Sequence, residues 1–276
     1  MRFAGFLNAA FKDESIKVPD RRGLPMTEAL YFLDCYLKEF EATVEKVTEG
    51  KYIVLDRTAF YPESGGQPSD TGKLVRERDG AEFKVVYAGK FNGDISHEIS
   101  PEGETGAEGL KVGDKVKGII DWDRRYRHMR MHTATHVIAN VIEKEAGAQI
   151  TGNQLGLDQS RVDFSLEAFD REKFAEYEKI ANEIIAENHS VNLYLVSRKE
   201  AEERLSRLTT LAKGFSEEIT EVRLVEIEGV TIEACGGSHL KNTGEIKGIK
   251  IEKLQNKGKS NRRMYFSLLD QASGLK

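Results

Sequence analysis

The chain has 276 residues, 39% hydrophobic, 8% aromatic and 32% charged, with 41 basic against 46 acidic side chains and a formal net charge of −5. So much apolar content in this length fills one large core or two ordinary ones and excludes disorder and fibrous repeats. The acidic balance excludes a polyanion binder working through bulk charge, and charges that interrupt every apolar run before about 18 residues exclude a membrane helix.

Residues 1–25 read as an N-terminal extension that ends in the charged, Pro-containing stretch Lys17 to Pro25, with Met26 as a second possible start. Phe3 to Phe11 imitates a signal peptide, but Asn8 interrupts the apolar run and no A-x-A site follows. Cys35 and Cys235 lie far apart in a chain that needs no staple, so no disulfide framework is expected and the reducing cytoplasm is the default location. From Cys35 to Asp121 short alternating runs predict strands at Ala42–Val47, Tyr52–Leu55, Lys73–Val75, Phe83–Tyr87 and Lys115–Asp121. Turn pairs Asp79-Gly80, Asn92-Gly93 and Gly113-Asp114 separate them, a spacing that fits a small β-barrel.

After Trp122 the period becomes helical, with Tyr126, Met129, His132, His136, Ile138 and Val141 recurring at three- and four-residue steps until Gly147. The boundary is therefore placed there, giving a barrel over residues 26–122 and a mixed α/β domain over residues 123–276. Within the second, Gln149–Phe164 is β-prone, Arg171–Asn188 is an amphipathic helix, Val191–Val196 is a strand and Arg198–Arg207 is a short charged helix. Strands follow at Val222–Ile227, Thr231–Ala234, Ile246–Leu254 and Met264–Leu269, an α+β order without βαβ alternation.

Three stretches carry chemistry. His132-Thr133-Ala134-Thr135-His136 sets two imidazoles at i and i+4 on one helix face. Cys235-Gly236-Gly237-Ser238-His239 adds a thiol and a third imidazole across a flexible pair of glycines. Each pair alone is commonly structural, but together His132, His136, Cys235 and His239 make a mixed N/S donor set of the kind Zn²⁺ favours. A zincin would need Glu where Thr133 stands, and a zinc deaminase would need H-x-E with P-C-x-x-C, so neither chemistry fits. Phe60 to Gly72 is longer than a hairpin needs, and its Gly65-Gly66-Gln67 exposes backbone N–H groups beside a polar amide.

These motifs, His-Thr-Ala-Thr-His, Cys-Gly-Gly-Ser-His and Tyr-Pro-Glu-Ser-Gly-Gly-Gln-Pro-Ser-Asp-Thr-Gly, resemble in order and spacing the editing region of alanyl-tRNA synthetase. More closely, Met26 to Leu269 resembles the freestanding AlaX editing proteins of the medium type. The resemblance implies hydrolysis of the ester that joins serine or glycine to mischarged tRNA(Ala), with Zn²⁺ held by His132, His136, Cys235 and His239. It implies that Thr135 and Gln154 face the amino-acid pocket and that Gly65, Gly66 and Gln67 approach the metal from the barrel. Arg124 to Arg130 and the run from Lys241 to Arg263 are candidate tRNA contacts, basic in an otherwise acidic chain. Competing readings are a threonyl-tRNA synthetase type of editing domain, which lacks the Gly-Gly-Gln barrel, and a zinc-stabilised RNA-binding protein without catalysis. The Gly-Gly-Gln also resembles release-factor loops, although the surrounding residues match the editing family instead.

Overall fold

The computed structural model describes residues 27–91, 93–100, 109–167, 170–205 and 220–269. The expectations placed on residues 1–25, on Met26, on Asn92 and on the end of a helix at Arg207 lie outside these residues.

The first half is a closed antiparallel barrel of β2 (Glu39–Thr48), β3 (Tyr52–Leu55), β5 (Gly72–Arg76), β6 (Glu82–Phe91), β7 (Asp94–Ile99) and β8 (Lys115–Ile120), in the order β2-β3-β7-β6-β5-β8. Outside it, β1 (Glu28–Ala29) pairs in parallel with β4 (Arg57–Thr58). Alternation fills the interior: on β6, Phe83 and Val85 are buried while Glu82 and Lys84 are exposed. Ile53, Leu55, Leu74, Val116 and Ile120 complete the same core.

The sequence pattern predicts five of these strands; β7 is the sixth and closes the barrel. Its Asp-Ile-Ser-His-Glu-Ile breaks hydrophobic alternation because Ser96 and His97 are buried. Burial of His97 is possible because both ring nitrogens are matched, Nδ1 by Ile53 O at 2.9 Å and Nε2 by Thr58 Oγ1 at 2.8 Å.

The second half is built around α1 (Trp122–Ala146), whose N-terminus Asp121 caps and whose C-terminus stops at Gly147 with φ of 64°. Then come β9 (Ile150–Gln154), β10 (Ser160–Phe164), α2 (Arg171–Ala186), β11 (Val191–Ser197), α3 (Arg198–Arg204), β12 (Glu221–Ile227), β13 (Thr231–Ala234), a 3-10 turn at Thr243–Ile246, β14 (Ile249–Asn256) and β15 (Arg262–Leu268). They form two antiparallel sheets, β14-β15-β10-β9 and β11-β12-β13. Met129, Val137, Ile138 and Val141 of α1 share one core with Phe174 and Tyr177 of α2 and with Phe164, Met264 and Phe266 of the sheet. No described helix is long and apolar enough to cross a membrane.

Every residue of α1 from His128 to Ile142 is buried. A helix enclosed on all sides cannot leave its polar side chains to water, so each must find a partner or serve a site. His132, Thr133, Thr135 and His136 lie in this enclosed stretch.

Candidate active site

Two elements deliver the four donors. The i, i+4 spacing on α1 sets the His132 and His136 rings 5.2 Å apart. The loop after β13 brings His239 to 4.4 Å from His132 and 4.7 Å from His136, ring centre to ring centre. Cys235 Sγ lies 3.5 Å from His132 Nε2 and 3.3 Å from His239 Nε2. All four donor atoms fall within 4.8 Å of one another, an arrangement that can hold a metal ion.

The loop reaches this position only because residue 237 lacks a side chain: a Cβ at Gly237 would stand 1.9 Å from His132 Cε1. Beneath it, the buried Arg223 donates to the carbonyls of Cys235 and Gly237, each at 2.8 Å. Cys35 contributes as well, its Sγ accepting the His239 N–H at 3.5 Å, while both cysteines remain free thiols.

Two of the imidazoles have a hydrogen-bond partner on the far nitrogen, the arrangement typical of metal-binding histidines, and the third faces a carboxylate. His132 Nδ1 lies 2.8 Å from Gln67 Oε1. The Gln67 amide is oriented at both ends, its oxygen accepting Ser238 N–H at 3.1 Å and its nitrogen donating to Ser238 Oγ at 2.8 Å. His132 therefore donates from Nδ1 and turns an Nε2 lone pair towards Cys235 and His239. His239 Nδ1 lies 3.2 Å from Thr133 Oγ1, which also accepts Leu240 N–H at 3.1 Å. His136 Nδ1 lies 3.4 Å from a Glu233 carboxylate oxygen.

The charges follow from these contacts. Burial works against a Cys235 thiolate, but the three imidazoles outweigh it and hold the thiol well below its usual range. Burial likewise disfavours charge on His136, yet Glu233 and Cys235 keep it protonated well above the ordinary imidazole range. His239 moves the other way, pushed well down by burial and by the neighbouring His132.

Gln67 enters this centre from the barrel. Ser64 and Gln67 pair across Gly65 and Gly66, whose φ values of 57° and 81° are those a two-residue type I′ turn demands. Gly66 also accepts Leu155 N–H at 2.8 Å, and a Cβ there would stand 2.0 Å from Asn153 Oδ1, so the turn docks on the end of β9. Below the tip, Asp70 accepts Tyr61 N–H at 2.6 Å and receives Arg125 Nε at 2.9 Å, with both partners of the ion pair fully buried. Arg125 also donates to Cys35 O at 2.8 Å and to Ala59 O at 2.5 Å, locking the base of the loop to the first turns of α1.

Of the residues singled out in the sequence, the structure brings together His132, His136, Cys235, His239 and Gln67. Gly65 borders a neighbouring cavity. Thr135 is buried beside the two histidines with its hydroxyl donating to Met131 O at 2.9 Å, Gln154 is exposed on β9, and neither lines that cavity. Glu233, Thr133, Ser238 and Arg223 were not singled out. Thr133 and Ser238 lie inside the two metal motifs, a signal that could have been used, whereas nothing in the spacing marks Glu233 or Arg223.

The expected basic track is smaller than its sequence. Arg125, Arg130 and Arg262 are buried. Arg262 braces the β14–β15 turn through Asn256 Oδ1 at 2.9 Å and Gly258 O at 2.7 Å, and Arg263 pairs with both oxygens of Asp163 at 2.7 and 2.8 Å. Lys257 and Lys259 of that turn are exposed.

Two family models match the chain: tRNA synthetases class II (A) over residues 27–124, and the threonyl and alanyl tRNA synthetase second additional domain over residues 222–265. The chain is 88% identical over 245 residues to the alanyl-tRNA editing protein AlaX-M of Methanosarcina acetivorans, covering 89% of this chain and 100% of that protein. It is 43% identical over 244 residues to the protein of the same description from Saccharolobus solfataricus, covering 88% and 99%. Against the alanine–tRNA ligase of Pyrobaculum aerophilum the identity is 41% over 251 residues, covering 88% of this chain and 26% of the ligase.

Proposed function

Because the chain belongs to the family of AlaX-M alanyl-tRNA editing proteins, we propose that it hydrolyses the ester of tRNA(Ala) mischarged with serine or glycine and spares the alanyl ester. The observation that carries this reading is the contact of Gln67 with His132, which joins the barrel's glycine turn to a four-donor centre inside the other half of the chain.

Zinc is the metal that suits the donor set. A tetrahedral zinc with bonds of about 2.0–2.3 Å spaces its ligand atoms about 3.3–3.8 Å apart, and Cys235 Sγ lies 3.3 and 3.5 Å from two of the imidazole nitrogens. Held by all of His132, His136, Cys235 and His239, such a zinc has no open position and would orient the centre; with one of the four displaced by the substrate, it would supply Lewis-acid chemistry at the ester or hold the substrate's α-amino group.

The protein's own share is positioning. An aminoacyl ester is already activated, so holding it beside a water in a closed site supplies much of the acceleration. Gln67 and Thr133 fix two of the rings from behind and Glu233 holds the third by charge, which keeps the donors in one arrangement through the reaction. Thr135 supports serine recognition: its hydroxyl hydrogen is already given to Met131 O, so its oxygen is left to accept from serine's hydroxyl. Gln154, exposed on β9, is assigned to the mouth of the site, and Gly65 and Gly66 to its closure from the barrel. The test is deacylation of Ser-, Gly- and Ala-tRNA(Ala) side by side, with metal content measured on the same sample. Loss of serine and glycine with alanine retained, abolished in Cys235→Ala together with the metal, is the expected result. Equal loss of all three would remove the specificity assigned here.

A further inference from the structure

Residues 236–242 lie between β13 and the 3-10 turn at Thr243–Ile246, outside every strand and helix, so no ladder takes up their backbone N–H groups. Gly236 and Gly237 leave this stretch free to take many shapes, and something else must select the one that carries His239 to the other donors. Side chains do so. Six consecutive N–H groups each end on one: Gly237 on Cys235 Sγ at 3.4 Å, Ser238 on Gln67 Oε1 at 3.1 Å, His239 on Cys35 Sγ at 3.5 Å, Leu240 on Thr133 Oγ1 at 3.1 Å, Lys241 on Tyr36 Oη at 3.0 Å and Asn242 on Glu245 Oε1 at 3.2 Å. Cys35 and Tyr36 are neighbours in the segment that leads into the barrel, and they grip the loop on both sides of Leu240. The Cys35 sulfur is buried and is itself fixed by Arg223 Nη2 and Tyr31 O, each at 3.5 Å. The Tyr36 hydroxyl accepts Lys241 N–H, for which Glu245 Oε1 is a more distant second acceptor at 3.3 Å, and donates to the Glu245 carboxylate, whose oxygens lie at 2.7 and 2.8 Å. Burial and that carboxylate push its pKa up, so the hydroxyl keeps its proton and stays a donor. Glu245 also accepts the Tyr126 hydroxyl at 2.9 Å, which ties the exit of the loop to the helix that bears His132 and His136.

We infer that Cys35 and Tyr36 are positioning residues for the metal centre, which set the reach of His239 by holding the backbone on both sides of Leu240. Neither supplies a donor atom, and both act from the barrel's lead-in segment on a loop that belongs to the other half of the chain. The inference rests on the reading above that the centre holds zinc, and it adds two residues on which that centre depends. Four variants test it. Tyr36→Phe removes the hydroxyl and keeps the ring against Trp122 and Lys241. Cys35→Ala removes the acceptor of the His239 N–H, and Cys35→Ser returns one. Tyr126→Phe takes the other hydroxyl from Glu245 without touching any N–H of the loop. The readouts are the visible absorption of the Co²⁺-substituted protein and the rate at which the zinc protein yields its metal to a chelator. Tyr36→Phe and Cys35→Ala should alter the cobalt spectrum and speed zinc loss about tenfold, Cys35→Ser should lie closer to wild type, and Tyr126→Phe should match wild type in both. With Ser-tRNA(Ala), the first two should lower kcat and leave KM unchanged, because the exposed lysines stay in place. Wild-type spectra and release rates in both Tyr36→Phe and Cys35→Ala would overturn the assignment, as would an effect of Tyr126→Phe as large as theirs, which would mean general loosening. A set of variants whose metal responds as expected, in a protein that leaves Ser-tRNA(Ala) intact, would refute the proposed function and not the positioning role.

Discussion

The residue on which the centre turns is an amide. Gln67 is fully buried, carries no charge and binds no metal, yet its oxygen sets which nitrogen of His132 holds the proton. Gln67→Glu keeps the size but sets a carboxylate against His132, and Gln67→Leu removes the acceptor altogether. Loss of such an outer partner lowers metal affinity by about 10- to 100-fold. The expected outcome for Gln67→Leu is therefore faster loss of zinc to a chelator, together with lower thermal stability because the buried His132 Nδ1–H and Ser238 N–H lose their acceptor, and a rate equal to wild type would remove Gln67 from this role. At this scale the four donors were legible in the sequence because paired histidines at helical spacing and a Cys-to-His loop are rare combinations. Their outer partners were not, apart from Gln67, because Glu233, Thr133 and Arg223 are ordinary residues whose meaning comes from what the fold places opposite them.

At the scale of elements, the barrel and α1 meet through one buried ion pair. Asp70 closes the base of the loop that carries Gln67, and Arg125 ties that base to α1 and to the carbonyls of Cys35 and Ala59. Removing one partner of a buried pair leaves an uncompensated charge and costs about 3–5 kcal/mol. Arg125→Met should accordingly lower the urea midpoint by that equivalent, and zinc retention should fall with it because Gln67 is no longer held against His132. Arg124→Ala, one residue away with its Nε on Ser69 O, should change stability far less. A midpoint for Arg125→Met within about 0.5 kcal/mol of wild type would mean that the joint is made elsewhere. This pair was hidden in the sequence, where Arg125 reads as one more cation in a basic run. By contrast α1 was legible because its apolar period runs unbroken to a glycine cap, and β7 was not, because His97 occupies the inward position between Ile95 and Ile99, where the pattern calls for an apolar residue, and Ser96 is buried on the other face.

For the whole molecule, net charge and the site pull in opposite directions. The chain carries −5, so attraction to tRNA must come from the cations the fold leaves exposed. With Arg125, Arg130 and Arg262 buried and Arg263 bound to Asp163, the exposed lysines of the run, Lys257 and Lys259 together with Lys241, Lys247, Lys250 and Lys253, carry the expectation. Changing Lys257 or Lys259 to Ala should weaken tRNA binding alike for every aminoacyl group and reduce the salt slope by about one. Arg262→Ala should instead destabilise the β14–β15 turn, and a full salt-slope effect there with unchanged stability would contradict its buried position. The fold also carries its own acid limit in the barrel. Burial pushes His97 down to about 4 from 6.5, although its bond to the Ile53 carbonyl favours the charged form. The unfolded chain therefore takes up this proton first as pH falls, so stability is full above about pH 6.5 and declines towards pH 4. A shift of that size corresponds to about 3 kcal/mol once pH lies below both values. His97→Gln abolishes the titration while retaining a donor and an acceptor, so its absolute stability is not the quantity to compare. The slope of unfolding free energy against pH between 4 and 6.5 should be flatter than wild type by about one proton, measured by urea unfolding in matched buffers. Identical slopes would show that His97 keeps an ordinary pKa and that the barrel interior is wetter than its contacts imply.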